Sequence, residues 1–183
     1  MADSEVVRKF LSERSSEAFE PVVEEYLDVV RGTIYRIVLN ESDADDLTQE
    51  TFISVYRNVG GFKGGASFGT WIRRIACNRA LSHCRSRRRK PVVPLDGMLE
   101  PAASASSRPD SEARRREFEG RVEAALSELS EELRAAITLV GIDGMSVDDA
   151  ASVLGCPKAT VYWRLHKARK RLRETMGEGV GDR

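Results

Sequence analysis

Residues 158–173, KATVYWRLHKARKRLR, hold seven cations (Lys158, Arg164, Lys167, Arg169, Lys170, Arg171 and Arg173) and no acid. Cations at this density bind phosphate, and they do so without reading a base sequence. Tyr162 and Trp163 stand among them, and large aromatics exposed between cations call for a partner. On a helix of ~100° per residue, Val161, Leu165, Ala168 and Leu172 form a narrow apolar seam, with Tyr162, Trp163, His166, Lys167 and Lys170 opposite. The pattern predicts a helix that docks by its seam. Its N-terminal half would offer side chains to base edges in the major groove, and its basic distal half would grip phosphates. His166 alone reads as a bystander rather than a ligand or a switch.

A second basic block lies at 73–90, with eight basic side chains and none acidic. Arg74, Asn78, Arg85 and Arg89 fall within ~60° of one another on a helical wheel. Ser67 is placed to cap that helix, and before it runs a glycine-rich loop, Gly60 to Gly65, with Phe62, Phe68 and Trp71 nearby. Such a set suits nucleic acid: cations for phosphates, aromatics and Asn for unstacked bases. The competing reading places the three aromatics in the core. Upstream, NESDADDLTQETFISVYRNV predicts a helix capped by Ser42 with acids in its first turn. Ala44, Leu47, Thr51 and Val55 share its buried side, and Asp46, Gln49, Glu50, Ile53 and Arg57 the other. An exposed Ile ringed by acids outlines a protein-contact surface, or a solvated face with one stray Ile. Asp43, Asp45, Asp46 and Glu50 also raise a Mg²⁺ cluster, but no phosphate-binding loop accompanies them. Cys77 and Cys84 flank His83, which raises a thiol sensor or half a zinc site. Three cysteines without metal spacing point instead to reduced thiols.

The elements that position these groups are helical. The chain has 183 residues, 41% hydrophobic and 32% charged, and a net charge of +0. That neutrality conceals segregation: residues 1–72 carry a net −6 and residues 91–157 a net −7, so two acidic bodies alternate with two basic blocks. Helical periodicity runs from about Ser16 to Arg89 and from about Ser111 to Glu174, with Val23, Leu27, Val30, Ile34 and Val38 expected to face a core. Strand signals are nearly absent. Between the helical parts, KPVVPLDGMLEPAASASSRPDS holds four of the six prolines. It reads as a flexible linker, able to reach ~65 Å over about 20 residues. The expectation is an all-α protein: a domain at 1–90, a linker at 91–111, a second domain at 112–176 and a tail at 177–183. The tether is expected to leave the two domains unaligned. In the second domain, Ser130 caps a helix that Gly144 ends. Ser146 to Asp149 form a capping box, and Gly155 turns the chain into the basic helix. Helix, short glycine turn, helix is the helix-turn-helix pattern. No apolar run approaches the ~20 residues that cross a bilayer, and the N-terminus lacks a signal pattern. The chain reads as soluble and cytoplasmic.

Taken together, DADDLTQETFISVYRNVGGFKGGASFGTWIRRIACNRALSHCRSRRR and LSELSEELRAAITLVGIDGMSVDDAASVLGCPKATVYWRLHKARKRLRE resemble regions 2 and 4 of the bacterial extracytoplasmic-function sigma factors. The resemblance implies an alternative sigma factor that binds core RNA polymerase, directs promoter-specific initiation and helps open the duplex. It implies that Asp46, Gln49, Glu50 and Phe52, with the neighbouring Ile53, dock on the clamp coiled coil. It implies a minus-10 site formed by Phe62, Lys63, Ser67, Phe68, Trp71, Arg74, Asn78, Arg85, Arg87, Arg88 and Arg89. It implies a minus-35 reader made of Lys158, Thr160, Tyr162, Trp163, Arg164, His166, Lys167 and Lys170. Partners would be core polymerase, promoter DNA and an anti-sigma factor, with no cofactor and no direct membrane insertion. Tyr162–Trp163 stand where many members have Lys or Arg then Ser, and a Gly in KGG replaces a common acidic residue. Two other classes compete. A helix-turn-helix repressor or activator would bind duplex DNA without polymerase. An enzyme would need a base, a nucleophile constellation or a cofactor motif, and the sequence offers none of these.

Overall fold

The computed structural model describes residues 4–89 and 120–177, and every regular element among them is helical. The expected linker at 91–111 and the tail beyond residue 177 lie outside the described residues. The first half comprises α1 (Glu5–Glu13), α2 (Ser16–Val38), α3 (Glu41–Asn58), a 3₁₀ turn (Val59–Gly61) and α4 (Phe68–Arg89). The second comprises α5 (residues 120–127), α6 (Glu131–Ile137), a π-helical turn (Thr138–Ile142), α7 (Val147–Leu154) and α8 (Lys158–Met176).

Local chemistry explains most boundaries. Ser4, Ser15 and Ser67 each accept a backbone N–H at the start of α1, α2 and α4, which satisfies donors that a helix end otherwise leaves bare. The cap of α3 is Asn40, whose Oδ1 accepts from the Asp43 N–H at 2.9 Å, not the expected Ser42. Asn40 takes the extended backbone that a cap requires, so the helix begins earlier. Of the expected Ser146–Asp149 capping box the forward bond forms, Asp149 N–H to the Ser146 hydroxyl, while the Asp149 carboxylate accepts from that hydroxyl rather than from the Ser146 backbone N–H. Ser130 occupies the cap position of α6 without a side-chain bond. Gly155, at φ +61°, closes α7 in the left-handed region where a Cβ would be strained.

The core of the first half runs through Val22, Val30, Ile34 and Ile37 of α2, Ala44, Leu47 and Val55 of α3, and Ile72, Ala76 and Ala80 of α4. Leu27, expected among them, is 41% exposed. It sits about 100° from the centre of the stripe set by Val22, Val30, Thr33 and Ile37, yet the buried Ile34 lies within ~20° of it on the wheel, so neighbouring elements decide which of the two is covered. α1, absent from the sequence reading, closes the bottom of this bundle with Val7 and Phe10. Phe10 packs 4.7 Å from Phe19, 6.2 Å from Tyr56 and 6.5 Å from Phe68, centroid to centroid. In the second half, Leu126, Leu129, Ala135, Leu139, Val153, Val161 and Leu165 are buried, and they join the residues of the first half in one continuous apolar core.

The two halves are docked, contrary to the expected unaligned domains. α2 and α4 pack against α6, the π turn and α7. The π turn carries the Asp143 N–H to the Thr138 carbonyl at 2.8 Å, and Gly144, at φ +67°, ends it. Asp143 thereby projects between α2 and α4 with its side chain 4% exposed. The Thr33 hydroxyl donates to its Oδ2 at 2.8 Å. Guanidinium nitrogens of Arg36 and Arg73 stand 3.7 and 3.8 Å away. Burial pushes the Asp143 carboxyl up, against the pull of Thr33 and the two arginines. Cys77 lies buried nearby, and burial pushes its thiol up to about 12.

Replacing Phe10 by Ala should destabilise the first half by ~3–5 kcal/mol, the usual cost of emptying a packed aromatic site, as a lowered urea midpoint would record. Thiolate is the reactive form of cysteine. Alkylation of the folded chain at pH 8, followed by mass spectrometry, should therefore modify Cys77 last of the three thiols.

Candidate nucleic-acid and protein interfaces

The chemistry of α3 divides between its two sides. Asp46, Gln49 and Ile53 are exposed on one stripe, with Ile53 at 50%, and Arg57 continues it. Tyr56, which sequence reasoning passed over, is also exposed and flanks Ile53 at a spacing of three. Its ring rests 5.2 Å from Phe19, so it is held in place while still facing solvent. Phe52 does not join this face. It is buried, 6.3 Å from Phe19, and supports the stripe from beneath. Its wheel position lies ~120° from Asp46, which explains the difference.

The other acids of α3 hold helices together. Asp43 accepts from Arg87 at 2.5 Å and stands 3.2 Å from His83 Nε2. Asp45 accepts from Arg31 at 2.7 Å, with Glu41 also paired to Arg31. Glu50 accepts from Arg79 at 2.6 Å, so it is both exposed and paired. These carboxylates are turned on cations of α2 and α4. Among the described residues, no three His, Cys, Asp or Glu side chains converge as metal ligands would.

The loop at 62–67 is anchored by Phe62, whose ring lies 5.6 Å from Phe68 and 5.4 Å from Trp71. Lys63 and the glycines are exposed. Phe68 is fully buried and belongs to the core, correcting its placement at a DNA surface. It is the first residue of α4, and its direction is set by the Ser67 cap. Trp71 is half-buried, with part of its ring available. Arg74, Asn78, Arg85 and Arg89 are all exposed along α4, and the last two line a shallow groove with Ser82 and Ser86. Arg87 and Arg88 are already engaged, Arg87 by Asp43 and Arg88 by the buried Glu131 of α6.

On α8, Val161, Leu165 and Ala168 are buried as the seam predicts, and Leu172 partly so. Tyr162 is 61% and Trp163 57% exposed, beside exposed His166, Lys167 and Lys170. The Lys167 ammonium sits 4.7 Å over the Trp163 ring, which orients the indole. Trp163, Arg164 and Lys167 also line an open groove with Ser130, Glu132 and Leu133 at the start of α6. Arg164 is half-buried and donates to Cys156 Sγ at 3.7 Å. Lys158 pairs with Asp148 of α7, and Thr160 is partly buried in the first turn of α8. The unengaged, exposed part of the helix's first half is thus narrower than expected and centres on Tyr162, Trp163, His166 and Lys167.

The two halves match two family models: Sigma-70 region 2 over residues 22–90, and Sigma-70, region 4 over residues 119–172. The chain is 36% identical over 160 residues to RNA polymerase sigma-H factor of Pseudomonas aeruginosa, covering 84% of this chain and 83% of that one. It is 31% identical to the ECF RNA polymerase sigma-E factor of Haemophilus influenzae, covering 93% of each. Among solved structures it resembles CnrH in complex with the cytosolic domain of CnrY, with a TM-score of 0.69 and 25% identity over 95% of this chain and 96% of that one. It also resembles RpoE in complex with the anti-sigma factor NepR from Bartonella quintana, with a TM-score of 0.67 and 28% identity over 86% and 96%. The family is not one of enzymes, and the repressor alternative is not favoured, because the region 2 match accounts for α2 to α4. No helix among the described residues is long and apolar enough to cross a membrane. The chain belongs to the extracytoplasmic-function sigma factors, the alternative sigma factors that join core RNA polymerase and direct it to promoters.

Proposed function

We propose that this sigma factor docks on the polymerase clamp coiled coil through Asp46, Gln49, Ile53 and Tyr56 of α3. It engages the minus-10 element with the Phe62–Ser67 loop, Trp71, Arg74, Asn78, Arg85 and Arg89, and it reads the minus-35 element with α8. Residues 1–90 act as region 2, 91–111 as linker, 112–176 as region 4 and 177–183 as tail. The protein works in the cytoplasm, without catalytic chemistry of its own, and an anti-sigma factor holds it inactive. The observation that carries this reading is the pair Tyr162–Trp163, left more than half exposed among cations on the helix that the region 4 match covers. The anti-sigma partner is supported by the two solved relatives, each captured with such a partner or a cytosolic domain. Run-off transcription by core polymerase on a genomic library, with and without this protein, tests the whole reading. Defined start sites that depend on the protein are expected, and their absence would refute it.

Two narrower outcomes follow for the named residues. Asp46→Lys combined with Ile53→Ala should abolish co-purification with core polymerase while leaving the melting temperature unchanged, because both side chains face solvent. Trp163→Ala and Tyr162→Ala should each cost ~1–3 kcal/mol at particular minus-35 positions only. Lys170→Ala should weaken all promoters alike and lower the salt slope by ~1. Transcription across a randomised minus-35 library separates the two patterns. Uniform loss for Trp163→Ala would mean that the indole serves the groove beside α6 instead of DNA.

A further inference from the structure

We propose that Arg14, the residue that ends α1, is a further DNA contact, gripping the phosphate backbone of the unpaired strand beside the glycine-rich loop. The contact rests on the assignment of that loop to minus-10 DNA given above. It adds to the site a helix that the region 2 match does not reach, since that match begins at residue 22.

Backbone strain points to it first. Arg14 closes α1 in the left-handed region, at φ 53° and ψ 28°, with its N–H donating to the Phe10 carbonyl at 2.8 Å. That bond needs only a backbone, and glycine would supply it without the crowding that a Cβ meets there. Among the described residues one other non-glycine has a positive φ, Leu39 at the end of α2. Leu39 offsets its strain by packing against the core. The Arg14 side chain instead is exposed, and it pairs with no acid among the described residues although Glu13 and Glu17 are close in the chain. No packing inside the fold accounts for an arginine at this strained position, and strain of that kind marks functional sites.

Placement points the same way. The Arg14 Nη1 stands 3.6 Å from where a side chain at position 60 would begin, and no other group lies within 4 Å of that point. Gly60 thus leaves the guanidinium uncovered at the start of the loop. The turn there is closed by the Phe62 N–H, which donates to the Val59 carbonyl at 3.0 Å. Arg57 and Lys63 lie three residues to either side of Gly60, both exposed and neither in an ion pair among the described residues. Three cations with no acid paired to them are thus grouped around Gly60.

The neighbouring rings decide which form of DNA suits this group. Phe62 and Trp71, 5.4 Å apart, are each only partly buried. Cations beside partly exposed aromatics hold unpaired strands, the rings stacking bases and the cations following the backbone. Arg85 and Arg89, which suit duplex phosphates, begin ~26 Å farther along α4 than Phe68. Arg14 therefore belongs to the unpaired end of the site.

Fluorescence anisotropy of the full-length protein with a labelled single strand of about 20 nucleotides and mixed sequence tests this, at salt from about 25 to about 200 mM. Wild type should bind with an affinity that falls as salt rises. Arg14→Gly should bind about fivefold more weakly at about 0.1 M salt, and should lower the slope of log K against log salt by ~0.7, the share of one phosphate on a single strand. Its melting temperature should stay the same or rise, because glycine is relaxed where arginine is strained. Arg14→Lys should keep the slope. Arg8→Ala removes an equal charge from an exposed position ~9 Å back along α1, and should leave the slope unchanged. Absence of wild-type binding, an unchanged slope for Arg14→Gly, or an equal loss for Arg8→Ala would overturn the contact. An Arg14→Gly effect confined to a duplex of the same sequence would overturn it too. Neither polymerase nor a promoter is present, so failure here is separate from failure of run-off transcription.

Discussion

A carboxylate removed from water must be met by donors, and among the described residues the Asp143 carboxylate is met from the other half of the chain. Thr33 donates to it, and Arg36 and Arg73 flank it. Such a group stabilises an arrangement less by its net energy than by making alternatives costly, since an unpaired buried charge is heavily penalised. The π turn that precedes it is part of the same device. By adding a residue to the last turn of α6, it rotates Asp143 toward α2 and α4 instead of solvent. The relative placement of the two halves in this structure depends in part on that insertion, beside the apolar packing of α2 and α4 on α6 and α7.

α4 is the member through which this placement acts. Its buried side supplies Ile72, Ala76, Cys77 and Ala80 to the first core, and α7 packs on it from the second half. Its exposed side carries Arg74, Asn78, Arg85 and Arg89. A single rigid helix of 22 residues, ~33 Å long, therefore serves as core, junction and candidate DNA surface at once. The acids of α3 have a similar double character. Asp43 and Glu50 tie α3 to α4 through Arg87 and Arg79. Ion pairs this exposed contribute at most about 1 kcal/mol each, so they can be exchanged for other partners at little cost. Asp46 and Ile53 have no such structural duty evident in the packing and remain presented.

Much of this was legible in the chain itself. The seam of α8, the buried side of α3, the capping box at Ser146 and the turn at Gly155 follow from short-range rules that a linear reading can apply. The exposed character of Asp46, Ile53, Tyr162 and Trp163 follows from the same periodicity. Misplaced residues lie where a linear rule has neighbours to contend with. Phe68 and Phe52 are aromatics beside exposed polar stripes, and only the packing of Phe10, Phe19 and Trp71 around them decides that they are core. Leu27 satisfies the three-and-four spacing yet lies at the edge of the stripe. α1 carries its own signal, a capping Ser4 with Val7 and Phe10 three residues apart, but its short apolar face becomes meaningful only against α2 and α3.

The sequence by itself determined the helical class, the division into two halves, the helix-turn-helix and which cations and aromatics of α8 stand exposed. Each of these rests on contacts between residues a few positions apart, where backbone geometry leaves few choices. The docking of the halves was decided by the tertiary structure alone. It joins Thr33 to Asp143 and Arg88 to Glu131, across 110 and 43 positions. Neither acid is distinguishable in sequence from the many solvated ones around it. Desolvation selects among them, and desolvation exists only once the chain has folded around the group.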